Sequence, residues 1–178
     1  MPINKPTQDT YKICPFKADL EDGRTNIGAI DLTKEPERID EIHELQFTPR
    51  LKTAIYHLNK ENTAFMTLGC LIEKDPEKEN CWWAYIEFCF RPNINVSSVD
   101  VDTLDEQFLN YLATKYSSEF SEALRHHLIW EAFHASIYDN TPSRVYSVFL
   151  NAQAPENYDQ AYTLLIEWLH SEFLHLAQ

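Results

Sequence analysis

The sequence predicts an α+β fold, an antiparallel sheet of two hairpins backed by amphipathic helices in the order α-β-β-(β)-α-β-β-α. Three observations carry it. Two pairs of apolar, strand-like runs are each interrupted by a short polar turn, DPEKEN at 75–80 and DNTP at 139–142. Segments with apolar residues three and four apart flank those pairs. Consecutive strands joined by turns, with no crossover helix between them, pair antiparallel and leave the helices for one side.

Taken in order, residues 1–35 read as a polar, turn-rich amino-terminal arm with short strand candidates at 11–16 and 27–32, and residues 36–178 as a single α+β domain. In PERIDEIHEL, Ile39, Ile42 and Leu45 give a short helix behind a proline. FTPRLKTAIYHLN restarts it with Thr48 as cap, Pro49 just inside, and Leu51, Ala54, Ile55 and Leu58 on one face. TAFMTLGCLIEK and CWWAYIEFCFR form the first hairpin, and NINVSSVDV adds a short third strand. The next helix starts at Asp102 or Thr103, with Glu106 completing a Thr-x-x-Glu capping box and Leu104, Phe108, Tyr111, Leu112 and Tyr116 as its stripe; Ser117-Ser118 bends or ends it. LIWEAFHASIY and SRVYSVFLN form the second hairpin. A last helix over 155–176 carries Tyr158, Tyr162, Leu165, Leu169, Phe173 and Leu176.

This order resembles two known arrangements at the level of topology, without a shared motif. One is the small, acidic, usually dimeric type III secretion chaperone-like fold, over residues 38–177. The other is the duplicated strand-helix-strand-strand fold of gyrase-inhibitor-like ligand-binding proteins, which requires a first strand from the arm.

Composition narrows the function classes. A chain of 178 residues with 44% hydrophobic residues can bury about 70% of its unfolded surface, and needs no disulfide or metal to fold. Nothing approaches the roughly 18 uninterrupted apolar residues of a membrane span, and the start MPINKPTQDTYK lacks a signal-peptide core, so the expected location is cytoplasmic and the chain is not a membrane protein. Cys14, Cys70, Cys81 and Cys89 form no CxxC pair and read as reduced, mostly buried thiols. The net charge is −13, and from Pro92 onward 12 acids face 3 bases. Such a field repels phosphate backbones, which excludes nucleic acid as a natural partner and favours a basic protein.

Alternation sorts the aromatic strand into two faces. Trp82, Ala84, Ile86, Phe88 and Phe90 form the core face, and Trp83, Tyr85, Glu87, Cys89 and Arg91 the other. On its partner, Ala64, Met66, Leu68, Cys70 and Ile72 make the apolar set, so pairing even positions with even ones places Glu87 opposite Gly69 or one pair away. Gly69 is the sole glycine inside a strand interior, where glycine marks a bulge, a close backbone approach or an absent side chain. Its missing side chain leaves a notch beside Glu87, walled by Trp83, Tyr85, Thr67 and Leu71, that suits a cationic or aromatic small ligand or a protein laid across the sheet.

Two weaker candidates remain. Glu131 and His134 form a strand-borne acid–base pair for a hydrolase-like enzyme. Glu167 with His170 and Glu172 with His175 have carboxylate–histidine spacing, but on one helix and off a common face, so neither a metal site nor a cofactor is expected. No nucleotide-binding or nucleophile motif occurs. The sequence therefore reads first as a non-enzymatic binding protein of chaperone-like, immunity or inhibitor type, engaging a protein partner or forming a homodimer, and second as a small-molecule binder.

Overall fold

The computed structural model describes residues 3, 12–14, 28–60, 62–74, 81–138, 142–152 and 155–177. Its sheet contains β1 (Lys12–Cys14), β2 (Phe65–Lys74), β3 (Trp82–Phe90), β4 (Leu128–Ile137) and β5 (Pro142–Ala152), in the spatial order β1-β4-β5-β3-β2. The expected hairpins β2–β3 and β4–β5 are present, and β3 pairs antiparallel with β5 to join them. β1 adds to the far edge, parallel to β4, with Lys12 opposite Ala135. The turns over 75–80 and 139–141 lie outside the described residues; Pro142 already belongs to β5.

Four helices accompany the sheet among the described residues: α1 (Pro49–Lys60), α2 (Leu104–Lys115), α3 (Ser118–Arg125) and α4 (Pro155–Glu172). The main core lies between sheet and helices, where Ala84, Ile86, Phe88, Tyr146, Val148 and Trp130 meet Leu51, Ile55 and Leu58 of α1, Phe108 and Leu112 of α2, and Tyr162, Leu165 and Leu169 of α4. The even face of β3 is thus the buried one, as alternation requires. Trp168 of α4 and Phe108 of α2 pack at 5.3 Å between ring centroids, and Tyr162 donates its hydroxyl toward Ala84 O (3.0 Å) and Val148 O (3.1 Å), pinning α4 across β3 and β5.

Several local expectations change. PERIDEIHEL is not one helix but two 3₁₀ turns, Pro36–Glu41 and His43–Phe47, with extended Ile42 between them. NINVSSVDV forms turns, not a strand. Neither Thr48 nor Thr103 caps its helix through the side chain. The backbone N–H of Leu51 at the start of α1 donates instead to Asp159 Oδ1 of α4 at 2.8 Å, a cap supplied by tertiary packing. Thr103 sits at the N-cap of α2, but its side chain makes no capping bond; its Oγ1 accepts from Gln107 Nε2. Ser117 does end one helix and start the next, since its Oγ accepts from the N–H of Phe120 in α3.

Arg91 does not extend the outer face. It follows β3 and turns to α1, where Nη2 donates to Leu58 O (3.0 Å) and Asn59 O (2.8 Å) in the last helical turn, while Nε donates to Phe65 O (2.9 Å). A fixed cation over terminal carbonyls suits both their lone pairs and the helix dipole. At the end of β4, Tyr138 takes a left-handed backbone with φ 55°. Its hydroxyl donates to Asp31 and the ammonium of Lys34 lies 3.7 Å above its ring, fastening residues 31–34 to the sheet.

Candidate functional site

The outer sheet face carries the residues singled out by the aromatic strand, and its geometry follows from pairing. Gly69 stands directly opposite Glu87, Leu71 opposite Tyr85 and Glu73 opposite Trp83. This is the anticipated register on that side of a bulge. The ladder shifts between Thr67 and Gly69, inserting Leu68, so the parity of β2 reverses below it. Phe65 and Thr67 therefore face the helices with Phe90 and Phe88, while Met66 pairs with Cys89 on the outer face.

Thr67 consequently does not wall the notch. It is buried on the helix side, where its N–H donates to Asn59 Oδ1 (3.0 Å) and its Oγ1 accepts from Asn59 Nδ2 (2.8 Å). The other expected residues, Gly69, Leu71, Trp83, Tyr85 and Glu87, do share the outer face. The alternation of β5 adds two more that the aromatic strand alone could not indicate. Ser147 pairs with Glu87, and Phe149 with Tyr85.

On β4, Ile129 continues the row of Leu71, Tyr85 and Phe149, and Glu131 continues that of Gly69, Glu87 and Ser147. Trp83 lies 6.5 Å from Tyr85 and Tyr85 5.7 Å from Phe149 between ring centroids, giving an aromatic strip. These three rings are half-buried, and Ile129 is 43% exposed. The same face is closed toward the opposite end of the strands by Met66, Leu68, Cys89, Ala135, Ile137 and Val145, packed as a second apolar cluster with Cys14.

Charge is distributed unevenly over this surface. The strands β2 to β5 place Glu73, Glu87 and Glu131 on it and no lysine or arginine. Glu87 is only 8% exposed, so it is not a solvated strand carboxylate. Partial burial, reinforced by the charge of Glu87, pushes the Tyr85 hydroxyl up to about 12. Burial likewise pushes the Cys89 thiol up to about 12 and raises that of Cys70 on the helix side, which leaves both as protonated, unreactive thiols at neutral pH.

The proposed acid–base pair does not assemble. Glu131 belongs to the outer face with Phe133 and Ala135, whereas His134 lies on the helix-side face opposite Arg144, because residues three apart on a regular strand point to opposite sides. Arg144 is held by Asp102 at 2.7 Å. No group of three or more His, Cys, Asp or Glu side chains is arranged to hold a metal among the described residues, and none of the helices searched there is long and apolar enough to cross a membrane.

A small cavity beside the closed end of the outer face is lined by Cys14, Ile30, Met66, Leu68, Ile137 and Tyr138, with a volume of about 10 Å³. That is room for about one water. No protein-family model matches the chain, and no curated protein or solved structure matches it.

Proposed function

We propose that the protein is a non-enzymatic binding module that holds a basic protein partner on its outer sheet face. The observation that carries this reading is the strip of Trp83, Tyr85 and Phe149, continued by Leu71 and Ile129, on strands β2 to β5, where Glu73, Glu87 and Glu131 share that face. Half-buried aromatic rings give a partner apolar area at little entropic cost, and the surrounding carboxylates select its sign. A second copy of the chain would bring the same three carboxylates, Glu73, Glu87 and Glu131, to the contact, so the reading commits to a partner of opposite charge.

The small-molecule alternative is less well supported, because the cavity beside this face holds only about one water. The hydrolase reading lacks its acid–base pair. The test replaces Tyr85 and Phe149 together by alanine and compares capture from a lysate with a photo-crosslinker placed at position 83. The expected result is a crosslinked protein that the wild type retains and the folded double variant loses, with native mass spectrometry of the pure protein showing the bare chain. Undiminished capture, or a stoichiometric small ligand that the double variant fails to hold, overturns the proposal.

A further inference from the structure

The rows of the outer face differ in how open they are. Glu87 and Ser147 are buried, and the face stays closed from their row to the apolar cluster at Cys89 and Val145. The next row toward the open end crosses four strands as Leu71, Tyr85, Phe149 and Ile129, all of them partly or well exposed. Beyond it lie Glu73, Trp83 and Asn151, of which Glu73 and Asn151 are exposed. The open apolar band is therefore longer across the strands than along them. With strands about 4.8 Å apart, the row is about 14 Å long. Both of its ends are open among the described residues, since Leu71 lies on the edge strand β2 and β1 reaches β4 only at Ala135–Ile137, well away from Ile129.

This row offers side chains and no backbone partner. An extended segment laid along it would press its own N–H and C=O groups against apolar groups, which is costly, whereas a helix satisfies them internally. Three helical turns rise about 16 Å and set apolar residues about 5 Å apart along one side, close to the spacing of the strands beneath. Charge completes the match. Glu73 at the β2 end and Glu131 at the β4 end flank the row on opposite sides, Glu73 exposed and Glu131 half-buried. Long cationic side chains on the two flanks of a helix can lay their apolar stems over the row and bring their heads to these carboxylates.

We infer that the partner presents an amphipathic helix with basic flanks, laid across β2, β3, β5 and β4 along the row of Leu71, Tyr85, Phe149 and Ile129, with Glu73 and Glu131 meeting its lysine or arginine residues. The inference rests on the outer face being the binding surface and names the form of the segment that this surface reads.

The probe is a fluorescein-labelled peptide of about sixteen residues, with leucines three and four apart and arginines on either side of that stripe, followed by fluorescence anisotropy. Three companions keep its length: one alternates the same leucines and arginines in a strand pattern, one carries a central proline, and one has glutamate for arginine. The striped peptide is expected to bind at least about tenfold more tightly than the alternating and proline peptides, and the glutamate peptide least, with the circular dichroism of the mixture showing added helix. Ile129→Ser and Leu71→Ser, at opposite ends of the row, are each expected to weaken the striped peptide about tenfold, and Glu73→Gln and Glu131→Gln severalfold. Glu156→Gln on α4 serves as the charge control and should change nothing. If Leu71→Ser fails to fold, the exposed Ile129 and Glu73 still decide the matter. Equal affinity for the striped and alternating peptides, with arginine still preferred over glutamate, overturns the helix and leaves the basic-partner reading standing. Loss of binding in Trp83→Ser while Ile129→Ser and Leu71→Ser are silent overturns the crossing of the strands. Binding of the glutamate peptide as tight as that of the striped one, or no binding of any arginine peptide up to about millimolar concentration, overturns the inference together with the reading beneath it.

Discussion

Replacing Arg91 by methionine tests how α1 is anchored to the sheet. The guanidinium satisfies the carbonyls of Leu58, Asn59 and Phe65 at 2.8–3.0 Å, and the backbone N–H of Arg91 donates to Ala64 O at 2.8 Å, a bond that survives the substitution. Three charge-assisted hydrogen bonds at the low end of their range, about 1.5 kcal/mol each, come to roughly 4.5 kcal/mol. Arg91 is half-buried, so water can reach part of what it leaves behind, and the methionine retains its apolar stem packing. The expected loss is about 3 kcal/mol, equivalent to a fall in Tm of roughly 6–12 °C for a chain of this size. Urea denaturation followed by circular dichroism reads it directly, with an unchanged m-value showing that the native state stays compact. Arg91→Lys should recover about a third of the loss, since one ammonium cannot span all three carbonyls. A methionine variant within about 0.5 kcal/mol of wild type would refute the anchoring role.

Two further outcomes follow from the same packing. Asp159→Ala removes the carboxylate that accepts from Leu51 N, and should cost about 1 kcal/mol in urea denaturation while leaving the spectrum of the native state unchanged. Burial raises the hydroxyl pKa of Tyr85, Tyr138, Tyr146 and Tyr162 above the ordinary tyrosine value. Each stays protonated in the fold at a pH where the unfolded chain ionises, so their stabilisation is complete below pH about 10 and is lost as pH rises beyond it. Thermal melts across that range, paired with tyrosinate absorbance, should show Tm falling before most of the buried hydroxyls titrate in the native state.

Much of the fold was legible because its signals were periodic. The strict alternation from Trp82 to Phe90 identified the buried face, and the turn-flanked runs identified both hairpins. The stripe from Tyr158 to Phe173 likewise marked the buried side of α4. What escaped was set by contacts distant in sequence. Phe65, Met66 and Leu68 are all apolar, so hydrophobicity alone could not say where β2 changes parity, and the bulge moved Thr67 from the outer face to the helix side. A cap on α1 from Asp159 and a carbonyl clamp from Arg91 replace local chemistry with tertiary partners, which no window around Thr48 reveals.

The site was half legible for the same reason. Parity on two strands put Glu87 opposite Gly69 or one pair away, and the two pair directly. Ser147 and Phe149 became visible only once β5 was paired with β3, although the alternation of Val145, Ser147 and Phe149 against Tyr146, Val148 and Leu150 carried the necessary signal. Glu131 and His134 looked like partners because they are close in sequence. The pleat separates them to opposite faces.

The parallel pairing of β1 with β4 also bears on how the chain reaches this structure. Lys12 meets Ala135 across a long intervening stretch that holds α1, the β2–β3 hairpin, α2 and α3. Closing so long a loop costs entropy that a strand of three residues repays poorly, whereas each hairpin closes over a short turn and can form early. Assembly should therefore begin with β2–β3 and β4–β5, proceed through their union along β3 and β5, and finish at β1. The last strand to join is also the cheapest to release, so amide protection at Lys12–Cys14 should report local opening at the sheet edge while the centre stays closed.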